Sequence, residues 1–330
     1  MSSPELIGAA TAEPAPTARV QFSGLGAYLP ERSVGNEEIG ALAGVDEAWI
    51  IKRTGIRSRR RADAASELAD LAEHAARAAI EDADLEPAEI DLVLLASVSQ
   101  GRPMPNVAPQ LASRIGAVNA AAFDLGAACS GFIVGLATAT AFIECGRAHR
   151  VLLVGADLLS RQTDPRDRRT AALFGDGAAA AVVTSTGSGG RWTIELGADG
   201  SEAGLIENDR RTGLIRMNGH DTFLHAVDRM EGATRGVCLR AGVGLEEIDL
   251  FVFHQANARI TRSLGERLGI GPDRIVDCIA EHGNTSAASV PLALAHARTH
   301  GSLAGGEKVV LCAVGAGLIW GAALVEWGAR

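Results

Sequence analysis

Apolar residues recur on one helical face between residues 68 and 79, where Leu68, Leu71, Ala72, Ala75 and Ala79 fall at spacings of three and four. Ser66 offers an N-cap before them and Pro87 follows, so a helix is predicted in between. The pattern then changes. Residues 93–96 are apolar without alternation, the mark of a strand buried on both faces. Similar runs alternate along the chain, which predicts an α/β fold with a mostly parallel sheet covered by helices on both sides. In such sheets ligands gather at the carboxyl ends of the strands.

The pattern also repeats. ADLEPAEIDLVLLA, starting at Ala83, resembles VGLEEIDLFVFHQ, starting at Val243, and AHRVLLVGAD from Ala148 resembles GEKVVLCAVGAG from Gly306. Between the members of each pair lies a turn followed by a helix, one beginning at Cys129 and the other at Asn284. Three correspondences in one order predict two related halves, 20–188 and 189–330, joined around the GSGG at 187–190. Residues 1–19 are expected to form a disordered tail, since Pro, Ala and Thr dominate them and they lack the basic start and apolar block of a signal peptide.

One stretch imitates a membrane span. No residue from 125 to 143 is charged. It opens on a Gly-Ala turn, contains Cys, Ser and Thr, and is bordered by Asp124 and Glu144, so a strand end, a tight turn and a buried helix are expected instead. The formal net charge of −9 argues against a general nucleic-acid binder. The five cysteines are scattered without a CxxC pair, which points to a reduced, cytoplasmic protein with no zinc site. Lys52 and Lys308 are the only lysines, and Schiff-base chemistry is correspondingly disfavoured.

Against this background three segments stand out. Cys129 sits in DLGAACSGF, at the turn before the buried helix, where the helix dipole favours thiolate and flanking small residues admit a substrate carbonyl. His254 ends the strand IDLFVFH, and Asn284 lies in HGNTSAAS. A neutral asparagine donates a hydrogen bond but cannot act as a base. A nucleophilic cysteine with two neutral donors suits stabilisation of a thioester enolate better than activation of water. GAGLIWG, from Gly315, lacks the Lys-Ser/Thr of a phosphate loop and reads as close backbone packing near the site. FGDGAAAAVV, from Phe174, reads as structural.

WIIKRTGIRSR, AFDLGAACSGF, DPRDRRTAALFGDGAAAAV, MNG, HQANARI, HGNTSAASVP and GAGLIWG occur in an order that resembles the β-ketoacyl-acyl-carrier-protein synthase III family, from about Phe22 to Trp327. The resemblance implies a thiolase-like fold, two duplicated βαβαβ-type halves in a layered αβαβα arrangement. It implies decarboxylative condensation of an acyl-CoA with malonyl-acyl carrier protein, through an acyl group on Cys129, with His254 and Asn284 stabilising the enolate and no cofactor or metal required. The backbone N–H groups of Cys129 and Ala316 would form the oxyanion hole. Trp49 and Arg53 would sandwich the CoA adenine, Arg168 and Asn257 would add contacts, and Gly219 and Phe223 would line the pantetheine channel. Arg259, with Arg262 and Arg267 one or two turns on, would dock the acidic carrier protein. By the same resemblance the chain is a homodimer in which Met104 reaches the acyl pocket of the neighbouring subunit, and a flexible methionine there is expected to admit propionyl, branched or longer starters. Arg59, Arg60 and Arg61 are left without an assigned role.

Three other functions remain open. Transfer of the acyl group to a hydroxyl or amine would want a carboxylate base where Asn284 stands. Condensation on acetoacetyl-CoA would want an acid in the site, and Asp277 and Glu281 are the nearest in sequence. A non-catalytic partner subunit would be expected to lack the nucleophile, which is present. Fatty-acid initiation and polyketide priming are not separated.

Overall fold

The computed structural model describes residues 19–328 apart from 103, 188, 189 and 191. The expected tail thus lies outside the described residues, except that Arg19 opens the first strand, and so does the middle of the 187–190 joint. Two mixed sheets carry the fold. The first contains β1 (Arg19–Tyr28), β2 (Leu92–Ala96), β3 (Ala121–Leu125), β4 (Arg150–Leu158) and β5 (Asp176–Thr186), in the spatial order β1-β5-β4-β2-β3. The second contains β6 (Thr193–Ala198), β7 (Leu250–Phe253), β8 (Lys308–Gly315) and β9 (Ile319–Glu326), in the order β7-β8-β9-β6.

β2 runs parallel to β3 and β4, and β7 parallel to β8. The pairs β4–β5, β5–β1, β8–β9 and β9–β6 are antiparallel, which corrects the expectation of a mostly parallel sheet. For β8 and β9 the reason is local. Residues 316–318 alone join them, and a parallel crossover needs a dozen residues or more.

The helices that matter for the site are α1 (Glu47–Thr54), α2 (Leu68–Asp82), α3 (Val107–Ile115), α4 (Gly131–Glu144), α5 (Gly219–Ala241), α6 (Ala258–Leu268) and α7 (Ser289–Thr299). α2 and α3 cover the outer face of the first sheet, while α5 and α6 cover that of the second. α4 and α7 lie between the sheets and touch both, giving the layered αβαβα arrangement. Double coverage explains the unbroken apolar strands: Leu92 and Leu94 pack inward with Phe132 and Leu136 of α4, while Val93 and Leu95 pack outward with Leu71 and Ala75 of α2. The uncharged stretch 125–143 is the end of β3, a turn and the central helix α4. Among the described residues no helix is long and apolar enough to cross a membrane. α2 begins one residue later than expected, with Glu67 rather than Ser66 as N-cap, because the Asp70 carboxylate accepts the Glu67 N–H at 2.6 Å.

The repeat is real in three dimensions. A single 3-10 turn precedes both β2 and β7, at Pro87–Glu89 and Leu245–Glu247. The registers correspond as well: Leu92 lies opposite Val151, and Leu250 opposite Val309.

Candidate active site

Cys129 occupies the 3-10 turn Ala128–Ser130, between β3 and the first turn of α4. Ala128 holds a φ of +47°, which bends the chain sharply before the thiol, and the Ser130 hydroxyl ties the turn to the Ile319 carbonyl at 2.9 Å. Across the turn stands Gly315. A Cβ on that residue would lie 2.7 Å from the Cys129 nitrogen, so the close approach demands glycine, in accord with the packing role read from GAGLIWG. The thiol itself departs from expectation. Burial, with a smaller push from Asp157, moves it from about 9 up to about 12. A helix terminus offers about 0.3–1 kcal/mol toward thiolate, against roughly 4 kcal/mol implied by that rise. The resting nucleophile is a thiol.

His254 follows directly on β7 and is buried. Its Nδ1 meets the Ser289 hydroxyl at the start of α7, and burial lowers its pKa to about 4. The imidazole is neutral at pH 7. In the tautomer in which the Ser289 hydroxyl donates to Nδ1, the remaining nitrogen carries the proton and is a donor. Asn284 is fixed by a similar logic. Its main chain is clamped by hydrogen bonds with Leu173 and Gly175, and its Oδ1 accepts the Ser286 N–H at 2.8 Å. Engaging Oδ1 leaves the amide NH2 as the group available to a ligand.

Cys129, His254, Asn284 and Ala316 line one cavity of about 320 Å³, in which apolar surface predominates. Val98, Leu159, Phe174, Ile206 and Leu318 supply much of that surface. The chamber opens into an outer cleft of about 1160 Å³, the two sharing Gly219, Phe223, Asn257 and Arg259. Trp49, Arg53 and Arg168 line the cleft. All the residues expected to contact CoA are therefore gathered along one channel that ends at the thiol.

Two details differ from the expected picture. The Arg53 guanidinium lies over the Trp49 ring, 4.7 Å from its centroid, so these groups stack on each other and one must swing aside to admit an adenine between them. Of the three docking arginines only Arg259 stands at the mouth, over the Phe223 ring at 5.2 Å. Arg267 is committed to Glu231 at 3.1 Å, and Arg262 faces a separate groove with Gly265 and Glu266. Met104 is 76% exposed and does not line the cavity of its own chain. Arg59, left unassigned from sequence, is wholly buried and braces the Val34 and Ala172 carbonyls and the Asn36 side chain, with no part in either cavity.

Several supporting residues escaped the sequence reading. Gln255 accepts the Cys278 N–H and donates to the Phe253 and Val276 carbonyls, which fixes the turn after His254. Asp157, at the end of β4, is fully buried and accepts from Ser97, Val98, Ser99 and the Ala287 N–H. The signals were present, Ser289 as the last residue of HGNTSAAS and Asp157 as the last of AHRVLLVGAD, but nothing in a linear pattern says which polar residues a fold will bury.

The models for 3-oxoacyl-[acyl-carrier-protein] synthase III and for its C-terminal part match residues 123–200 and 238–327. The chain is 42% identical over 310 residues to β-ketoacyl-[acyl-carrier-protein] synthase III of Staphylococcus epidermidis, covering 94% of this chain and 99% of that one. The 3-oxoacyl-[acyl-carrier-protein] synthase III structure from Aquifex aeolicus superposes with a TM-score of 0.91 at 39% identity, over 93% of this chain and all of the other. The priming β-ketosynthase of the R1128 polyketide biosynthetic pathway also superposes at 0.91, with 34% identity, over 97% of this chain and all of the other. Sequence and fold thus agree, and the chain belongs to the 3-oxoacyl-[acyl-carrier-protein] synthase III family.

Proposed function

We propose that this enzyme primes fatty-acid or polyketide synthesis by condensing an acyl-CoA with malonyl-acyl carrier protein. Cys129 attacks the acyl-CoA thioester, CoA leaves as a thiol, and the acyl group stays on sulfur. The malonyl thioester then enters, loses CO2, and the resulting carbanion attacks the acyl-cysteine to give a 3-ketoacyl carrier protein and the free thiol. The N–H groups of Cys129 and Ala316 hold the oxyanion on the acyl carbon, and His254 and Asn284 hold the enolate oxygen. Decarboxylation supplies the carbanion, so this chemistry requires neither metal nor cofactor.

The observation that carries the reading is the paired donor set. Asn284 Oδ1 accepts the Ser286 N–H, which leaves its NH2 as a donor, and a Ser289 hydroxyl donating to His254 Nδ1 leaves the other ring nitrogen as the second. Transfer to a hydroxyl or amine would require a base, and an imidazole held near 4 and an amide are poor ones. Of the acids a rival condensation could use, Asp277 and Glu281 do not line the chamber, whereas Glu207 does.

Trp49, Arg53, Arg168, Gly219, Phe223 and Asn257 hold CoA along the channel, the arginines of an otherwise acidic chain meeting its phosphates. Arg259 at the mouth receives the acidic carrier protein. A homodimer is supported by β3, a free sheet edge whose residues Ala122 to Leu125 are only half-buried. Met104 would reach the partner's acyl pocket, admitting starters longer than acetyl. Work in the cytoplasm accords with the free thiols.

Intact-protein mass after mixing with a panel of acyl-CoAs, followed by a malonyl carrier-protein chase, tests the whole scheme. An adduct on Cys129 that leaves as a 3-ketoacyl carrier protein is expected. An adduct that ignores malonyl carrier protein would favour another acceptor, and no adduct would favour a non-catalytic partner.

A further inference from the structure

The Cys129 thiol, half-buried in the chamber wall, leaves open where its proton goes. Cys129 must become a thiolate to attack, yet burial holds it as a thiol. The titratable groups facing it are few: Asp157 from the end of β4, His254 from the end of β7, Glu207 in the chamber lining and, toward the mouth, Arg259. His254 is a weak base with its Nδ1 already engaged.

Ser286 lies between. It is 1% exposed, lines the chamber with Cys129, and its hydroxyl makes no well-formed hydrogen bond in the resting chain. That hydroxyl is nevertheless close enough to the Cys129 thiol and the Asp157 carboxylate to favour the charged form of each. Asp157 is held unevenly. Its Oδ1 accepts from Ser97, Val98 and Ser99 at 2.8–2.9 Å, whereas Oδ2 takes only the N–H of Ala287, the residue next to Ser286, at 3.2 Å. Nor does the fold need a hydroxyl at 286. Ser286 has a φ of +52°, and its counterpart in the first half, Ala128, holds +47° as an alanine.

From this geometry we infer that Ser286 is a catalytic residue that relays the Cys129 proton to Asp157 Oδ2 during acyl loading. The S–H bond breaks as Ser286 Oγ takes its proton and passes its own to Asp157. The thiolate attacks the acyl-CoA carbonyl, and the same proton returns through Ser286 to the departing CoA sulfur. A thiolate formed without this transfer would stand as a second anion beside the buried Asp157, whereas the relay keeps a single negative charge in the site. The inference rests on the acyl-cysteine reading above, but alkylation tests it without a thioester.

A proton moved within the site leaves its net charge unchanged, so the thiolate formed in this way is independent of pH. Iodoacetamide, with the Cys129 peptide mapped by mass, should therefore alkylate the wild type at a rate that is flat between about pH 6 and 9. Ser286→Ala should lose that floor, react about a hundredfold more slowly at pH 7, and rise about tenfold per pH unit. Ser286→Gly, suited to the positive φ, gives the same reading if the alanine variant folds poorly. Asp157→Asn should lose the floor too. Loading from acyl-CoA should follow the same profiles. A wild-type rate that climbs tenfold per pH unit would overturn the relay, as would a floor that survives in Ser286→Ala. A floor abolished by His254→Ala alone would assign the proton to the imidazole. A wild type with a flat alkylation profile that takes no acyl group would keep the relay and reject the acyl-transfer reading.

Discussion

Asn284→Ala separates what the asparagine does for the fold from what it does for the reaction. The side chain has two jobs: Oδ1 accepts the Ser286 N–H at 2.8 Å, and the NH2 is the proposed donor to the malonyl thioester. Alanine removes both. Ser286 is 1% exposed, so its N–H loses its partner where water cannot replace it, at a cost of about 1–3 kcal/mol. For a chain of this size that is a fall of a few degrees in melting temperature. Loss of one donor aimed at a developing oxyanion is worth about 10²- to 10³-fold in rate. The rate loss should fall on one half-reaction. Acyl transfer to Cys129 uses the N–H groups of Cys129 and Ala316, and should stay within a few fold of wild type. The chase of preloaded acyl-enzyme with malonyl carrier protein, followed by mass in single turnover, should carry the whole deficit. Condensation within about tenfold of wild type would refute the enolate role, and loading and condensation falling together would show that the substitution merely disturbs the turn.

Other outcomes follow from the same geometry. Ser289→Ala frees the His254 Nδ1 and with it the tautomer, so condensation should fall about 10- to 100-fold while loading holds; equal losses in both steps would count against a role in orienting the imidazole. Histidine NMR should find His254 neutral as pH falls from 7 to 5, with protonation only near 4; because its folded pKa lies below the unfolded 6.5, its contribution to stability is full above 6.5 and is lost as pH falls toward 4. Gly315→Ala places a Cβ 2.7 Å from the Cys129 nitrogen, costing about 1–3 kcal/mol of stability and slowing loading; an unchanged loading rate would mean the turn can yield. Arg259→Ala should raise KM for the carrier protein and weaken its salt dependence, whereas Arg267→Ala, already paired with Glu231, should change KM little.

What the sequence revealed, and what it hid, both trace to the duplication. Corresponding positions in the two halves stand 158 residues apart: Asp91 and Asp249, Arg150 and Lys308, Ala128 and Ser286. Apolar runs and turns repeat at that offset because both halves build the same strand–turn–helix unit, so fold class, the central helix and the three residues gathered in the chamber were legible. Strand direction was not, since residues buried between two helix layers look alike in parallel and antiparallel pairs. Nor was the uneven use of the repeat. Asp157 and Gly315 are counterparts, as are Ala287 and Cys129. The Asp157 carboxylate of the first half covers the Ala287 N–H of the second at 3.2 Å. At the corresponding contact, Gly315 of the second half stands in place of the carboxylate, and the Cys129 N–H of the first is left uncovered on that side, where a carbonyl oxygen can take it. Likewise Ala96 and Gly126 stand where the second half has His254 and Asn284. Each half thus keeps what the other has given up, one the nucleophile and the other its donors, and the chamber between them is reactive only because the copies have diverged. Asp157→Gly with Gly315→Asp would exchange the two states, and on this argument it should abolish acyl loading by placing a carboxylate over the oxyanion site. A doubly substituted chain that folds and still loads Cys129 at the wild-type rate would show that the asymmetry of the two turns is incidental.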